Sequence, residues 1–339
     1  MKIKEYFKKN QYTAILLVLV VLVMLFFTIT KAGTFWKIGT WRGIVMQFPE
    51  YGVMAVGTMF CFLIGCIDMS FVMLGNFATV LAVMYMGTKM DGELSNGAAA
   101  FLIFQAFLIV AVVCAIGGVI NGLLISKLGI PPVIATIAMQ MVWMGISIGI
   151  TKGKSLSTIP SQYIEVGHSN ILGFIPFPMF VFILVFILAA LILRFTAYGK
   201  KLYMCGTNIK AARFSAINTD KMIIGTFVLA DVICGIGSML MVSTLNCAKA
   251  DNGESYVMKI ILILVLAGIL PDGGIGKIGN MIFSILIIQM ITSGVNMFQG
   301  LNTYHASMVY GGILVLVLVL STRMGNGVLS FKKGKKKSA

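Results

Sequence analysis

Ten stretches of about 17 or more largely apolar residues fill this chain, each long enough to cross a bilayer as a helix. They lie at about 12–30, 44–66, 69–87, 98–126, 132–150, 171–194, 221–245, 256–270, 277–296 and 303–321. Inside hydrocarbon every backbone N–H and C=O must be satisfied by the spanning segment itself, which leaves helices and closed barrels. A barrel would be written as roughly ten-residue alternating strands. These runs are unbroken, so the chain reads as an all-α integral membrane protein of about ten transmembrane helices. Composition agrees: 11% of residues are charged, against about a quarter in soluble domains.

The net charge of +15 raises a nucleic-acid partner, but the Lys and Arg flank the spans instead of forming an aromatic-interleaved face. They read as topology signals and contacts to membrane lipid, and no nucleic-acid partner is expected. With the N-terminus inside, 18 of the 26 Lys and Arg fall on the cytoplasmic side. That asymmetry places both termini in the cytoplasm and makes the number of spans even. The expected organisation is one transmembrane domain over 1–339, with basic cytoplasmic tails at 1–11 and 322–339 and a long basic cytoplasmic loop at 194–221. No small-residue cleavage site follows the first apolar run, so it reads as a retained span. The six cysteines lack metal-type spacing and read as small buried hydrophobes.

Two connections are too tight and too glycine-rich for ordinary surface loops. Gly65-Cys-Ile-Asp68-Met-Ser70 separates the second and third spans, and Ala267-Gly-Ile-Leu-Pro-Asp272-Gly-Gly-Ile-Gly-Lys-Ile-Gly279-Asn280 follows the eighth. Leu63 to Asn76 can be laid over Leu266 to Asn280 with a one-residue insertion, which points to an internal pseudo-repeat with broken helices. Gly-interrupted hydrophobic segments at matching places in two halves mark a transport pathway.

Absences narrow the class further. No Gly-x-x-x-x-Gly-Lys-Ser/Thr loop occurs, so ATP is not bound in the P-loop manner. His168 and His305 stand far apart with no Cys or carboxylate grouping, so no catalytic set, no metal site and no cofactor are expected. No Arg ladder or carbonyl-filter signature announces a channel. Energy for transport must then come from elsewhere.

Asp68 is an acid near membrane depth and has two readings, an N-cap of the third span or a pathway residue. Ser70 belongs to the same break. Asp231, inside the seventh span, reads as a carboxylate turned to the bundle interior. Asn76, Asn121, Gln140, Gln289 and Asn296 are neutral hydrogen-bonders, serving either as interhelical glue or as the lining of a polyol pathway. In the basic loop, Asn208 is a good N-cap for a helix over Ile209 to Ser215, Ala211 and Ala212 offer a small face, and Asn218 or Thr219 can cap the next span. Such a helix suits a groove on a cytoplasmic partner; a positive loop resting on lipid headgroups is the alternative.

Within that loop, Gly199-Lys-Lys-Leu-Tyr203, Gly206-Thr-Asn208, Ala211-Ala212 and Ser215-Ala-Ile217-Asn218 resemble the coupling-helix region of ribose-type sugar permeases, the membrane subunits of bacterial ABC importers. Gly65 to Ser70 is similar to the family's Gly-Ile-Asp-Leu-Ser segment, and Gly118-Val-Ile-Asn121-Gly to its Asn-Gly segment. Pro131 to Thr136 is similar to the start of its next span, and Asn252-Gly-Glu254-Ser-Tyr256 to its outer Gly-Glu-x-Tyr motif. The resemblance runs from about residue 45 to 323.

It implies a permease of the bacterial cytoplasmic membrane that pairs with a second permease subunit, an extracytoplasmic sugar-binding protein and two ATP-binding cassette subunits. By that analogy Gly206, Asn208, Ala211, Ala212, Ser215 and Ile217 would seat in the ATPase, and Asp68, Ser70, Asn76, Asn121, Gln140 and Asn296 would follow the translocation pathway. Ala216 stands where the family tends to have Gly; Cys66, Met69, Phe71 to Met73 and Leu270-Pro-Asp-Gly-Gly274 are further departures. These leave the cargo open between a sugar and a nucleoside or furanosyl signalling molecule, and they point to one half of a diverged pair. An ion-coupled secondary transporter is the rival reading.

Overall fold

A computed structural model describes residues 11–90, 95–171, 175–298, 305, 308 and 310–312. Long helices dominate it: α1 (Gln11–Phe35), α2 (Ile38–Ile64), α3 (Phe71–Thr88), α4 (Asn96–Ser126) and α5 (Pro132–Thr151). A short helix α6 (Ser161–His168) and a two-stranded ribbon, β1 (Asn170–Ile171) against β2 (Ile175–Pro176), lead into α7 (Phe177–Phe195). Then follow α8 (Ala197–Thr207) and α9 (Ile209–Phe214) in the basic loop, α10 (Thr219–Leu245), the short α11 (Tyr256–Leu266) and α12 (Ile278–Val295). Eight of the described helices are long and apolar enough to cross a membrane, and α11 is a shorter apolar helix. The expected span at 303–321 lies almost wholly outside the described residues, as do the tails at 1–11 and 322–339.

Burial sorts these helices. Every residue of α2 from Phe48 to Ile64 is buried, although the helix carries Pro49 and few strongly apolar stretches, so α2 is the central strut. A helix enclosed by other helices on all sides needs no polar face. By contrast α1, α4, α5 and α7 bury narrow stripes and show wide apolar faces, the surface a lipid-facing helix presents.

Close helix contact is bought with small residues. Where α4 crosses α10, a Cβ added at Gly118 would lie 2.7 Å from Val228 Cα and 2.8 Å from the Phe227 carbonyl, and one at Gly122 would lie 2.6 Å from Ile224 Cα. At the crossing of α2 and α10, a Cβ at Gly57 would lie 2.6 Å from the Ala230 carbonyl. Lipid offers no hydrophobic drive between apolar helices, so such backbone approach supplies the dispersion contact that holds them.

Two expected spans are corrected. The sixth is expected from 171, but the ribbon occupies its start, and the helix begins at Phe177 behind Pro176 with Pro178 in its first turn. The eighth is expected over 256–270, but α11 stops at Leu266. Gly268 turns into the left-handed region at φ +76°, the Gly268 amide donates to Val265 and the Ile269 amide to Leu264, which closes the helix end. Eleven residues of helix rise only about 16 Å, half a bilayer.

Gly118→Val should therefore lower stability by about 1–3 kcal/mol, because the atoms it meets are backbone and cannot move aside. Gly97→Val, where nothing lies within 4 Å, should not. Thermal unfolding of the two variants in detergent compares them directly.

Candidate functional site

Both helix breaks converge on the end of α8. The last carbonyls of α2 are orphaned by the helix end. The Gly65 amide takes that of Phe62 at 3.0 Å and the Cys66 amide that of Cys61 at 2.9 Å, with Gly65 at φ +85°. The Leu63 carbonyl is met from the other break, by the Gly274 amide at 2.9 Å. Gly206, the penultimate residue of α8, fits against this pair: a Cβ there would collide with the Leu63 carbonyl oxygen and the Gly274 amide. A Cβ at Gly273 would lie 2.7 Å from the Gly65 amide and 2.9 Å from the Gly206 carbonyl. Tyr203, one turn back in α8, donates its hydroxyl to the Gly276 carbonyl at 3.0 Å. Three segments remote in sequence thus touch backbone to backbone.

Beside this junction lies a polar cluster level with the middle of α10. Asp68 Oδ1 accepts from the Ser70 amide and the Ser70 hydroxyl, both at 2.8 Å, and Asn121 Nδ2 donates to Ser70 Oγ at 2.8 Å. Thr136 of α5 donates to the Ile67 carbonyl at 3.3 Å, and Asp231 of α10 faces Asp68 and Asn121. None of these five side chains is more than 1% exposed. The expected capping role of Asp68 is corrected in detail. Ser70, not Asp68, occupies the N-cap of α3, and Asp68 holds the amide two residues on, as Asp does in turns.

The other expected pathway residues lie elsewhere. Asn76 is buried and donates to the carbonyls of Ala250 at 3.1 Å and Asn252 at 2.7 Å, clamping the connection between α10 and α11 from inside α3. Gln140 is half-buried on α5, and Asn296 is exposed just past α12. The structure thus brings Asp68, Ser70 and Asn121 together and leaves Asn76, Gln140 and Asn296 apart.

In the basic loop the expected caps form: Asn208 accepts from the Ala211 amide and Asn218 from the Lys221 amide, each at 3.0 Å. The faces differ from expectation. Ala212 is 2% exposed and turned inward, and Gly206 packs into the junction, whereas Ala211 and Ser215 are exposed and Ile217 half-buried. The outward surface is carried by Ile209 and above all by Phe214, 92% exposed. Helix α9 ends with the Ile217 amide on the Ala212 carbonyl at 3.1 Å and Ala216 at φ +60° between them. That is the helix-ending motif whose left-handed position favours Gly.

A family profile described as branched-chain amino acid transport system / permease component matches residues 41–318. The chain belongs to this family. It is therefore a transport permease component with many membrane spans, and the description carries no enzymatic role. It is similar to the ribose import permease protein of Bacillus subtilis (strain 168), 32% identical over 205 residues that cover 60% of this chain and 63% of that relative. The ribose import permease protein of Escherichia coli (strain K12) is 25% identical over 94% of this chain and 97% of its own length. The L-arabinose transport system permease protein of the same strain is 25% identical, covering 83% of this chain and 82% of the relative. No solved structure matches.

Sequence reasoning about the permease overlooked three residues. Glu50, midway along α2, is 1% exposed and accepts from the Tyr256 hydroxyl at 3.2 Å. Lys259 of α11 is 5% exposed, with its ammonium 4.3 Å from the ring centre of Tyr51 and 5.1 Å from that of Tyr256. Ionisable residues inside apolar runs are the signal that would have found both. Phe214 had a weaker signal, an aromatic beside Arg213 in a polar loop.

Asp68→Ala leaves the Ser70 amide and hydroxyl without their buried acceptor and should cost about 1–3 kcal/mol. Ala216→Gly removes the left-handed strain and should add about 1 kcal/mol. Opposite shifts of the unfolding midpoint in detergent are the expected result for the pair.

Proposed function

We propose that this chain is the membrane-spanning subunit of an ATP-driven importer that carries a sugar across the bacterial cytoplasmic membrane by alternating access. The observation that carries this reading is the backbone contact of Gly206 with Leu63 and Gly274. Movement of α8 at the membrane surface must displace the break after α2 and the break after α11 together. A subunit with no phosphate-binding loop needs such a handle, because the energy is released in another protein. ATP-binding cassette subunits in the cytoplasm would grip the 194–221 loop, and their closure would shift the balance between two arrangements of the permease.

Sidedness follows from charge. The excess of Lys and Arg argues that the end of the bundle holding α8, α9, Lys127 and Lys277 is the cytoplasmic one, and the same count assigns both termini to that side. The opposite end holds Asn252 to Tyr256, clamped by Asn76, where an extracytoplasmic sugar-binding protein would dock. A second permease subunit, identical or paralogous, completes the pathway. In this reading Asp68, Ser70, Asn76 and Asn121 set the broken helices, while Gln140 and Asn296 are the members with surface open to cargo. The named relatives transport ribose and arabinose, which favours a small aldose over a branched-chain amino acid.

Ala211, Ile209 and Phe214 form the grip in α9, with Phe214 as the anchor, since an aromatic exposed to water gains most on being covered. Phe214→Ala should lower ATP-driven sugar uptake about tenfold or more while leaving the unfolding midpoint unchanged. The assay uses vesicles holding the assembled complex with its binding protein. Uptake by this chain alone on an ion gradient would sink the proposal.

A further inference from the structure

We infer that the groove between α1, α7, α8 and the start of α12 is a binding site for the phosphate headgroup of an anionic phospholipid of the inner leaflet. The groove encloses about 860 Å³. Its charged lining residues are both cations, Arg194 at the last turn of α7 and Lys277 immediately before α12, and no Asp or Glu lines it among the described residues. Lys277 stands immediately before the 18-residue α12, whose N-terminal dipole adds to the positive field. The rest of the lining is largely apolar, with Ala190, Leu193, Ile278 and Phe283 running up from the cations along the spans. That order, cations at the membrane surface and hydrocarbon above, matches a phospholipid end-on. A free phosphate would use only the first part.

The orientation proposed above puts this groove in the cytoplasmic leaflet, where anionic lipids attract basic residues by about 1 kcal/mol each. The inference rests on that orientation and not on the identity of the cargo. Its place gives it consequence: the groove is also lined by Tyr203 and Gly276, the hydrogen-bonded pair that ties α8 to the second break. A lipid seated there would brace the handle against the break.

The full-length chain, purified in a zwitterionic detergent, is titrated with short-chain phosphatidylglycerol, phosphatidylcholine or inorganic phosphate while its thermal unfolding is followed. Phosphatidylglycerol should raise the midpoint by several degrees and the other two should not. Arg194→Gln with Lys277→Gln should abolish the rise while keeping the lipid-free midpoint, which shows that the variant folds. Lys200→Gln with Lys201→Gln, cations of the same loop outside the groove lining, should keep it. The inference is overturned by an equal rise with phosphatidylcholine, a full rise with phosphate alone, a rise unchanged in the Arg194/Lys277 variant, or a rise that appears only after residues 1–10 are deleted, since the chain's own tail then fills the groove. A rise seen only in monomer, and lost in the dimer by light scattering, likewise overturns it in favour of a second copy. Loss of sugar uptake with an intact lipid response would instead fault the proposed function alone.

Discussion

The amide of Gly274 on the carbonyl of Leu63 is the contact on which the rest of this architecture depends. The last carbonyls of α2 have no partner within their own helix, and a polar group left unpaired away from water costs free energy. Cys66 and Gly65 turn back to satisfy two of them, and a third requires a donor from outside the helix. The chain after α11 supplies it, and to do so it must leave the helix after eleven residues and fold into a left-handed turn at Gly273 and Gly274, φ +80° and +73°. One break therefore explains the other.

Glycine is needed here for space as well as for dihedral angle. Gly206 has no positive φ and could be any residue as far as its own helix is concerned, yet its missing side chain is what lets α8 lie on the paired backbones. Around this junction the bonds of Asp68 and Asn121 to Ser70 tie the start of α3 to α4, and Asp231 of α10 faces them. Asp68 Oδ2, Asn121 Oδ1 and both Asp231 carboxylate oxygens are buried with no hydrogen-bond partner among the described residues, and a partly satisfied polar cluster in a low-dielectric interior is costly.

Much of this was legible beforehand, and the illegible parts have a common cause. Most span positions, the two breaks and the caps Asn208 and Asn218 follow from local rules of length, glycine content and capping chemistry and stand in the structure, whereas the start of the sixth span and the end of the eighth do not. The burial of Ala212, the inward packing of Gly206 and the exposure of Phe214 do not follow from local rules, because a six-residue helix shows its faces only once its neighbours are placed. Asp68 is ambiguous for the same reason: its chemistry allows a cap or a turn, and only the placement of Ser70 at the N-cap of α3, with its amide on Asp68 Oδ1, separates the two. Glu50 and Lys259 were hidden differently. Each is a single charge within a span, and its burial follows from neighbours remote in sequence, Tyr256 for Glu50 and Tyr51 for Lys259.

The basic loop is fastened at its two ends by bonds of different character, and this difference sets how force travels. At α9 the ties are exposed ion pairs, Lys127 to Asp220 at 2.8 Å and Arg213 to Asp220 at 3.1 Å, with both cations more than half exposed. Such pairs are worth little, are screened by salt and can re-form after sliding. At α8 the tie is backbone on backbone, with no room for a Cβ at Gly206. Under the proposed function, a partner pulling on Phe214 would stretch the ion pairs first and meet resistance at Gly206, so that work done on the outer helix of the loop would be delivered through the inner one.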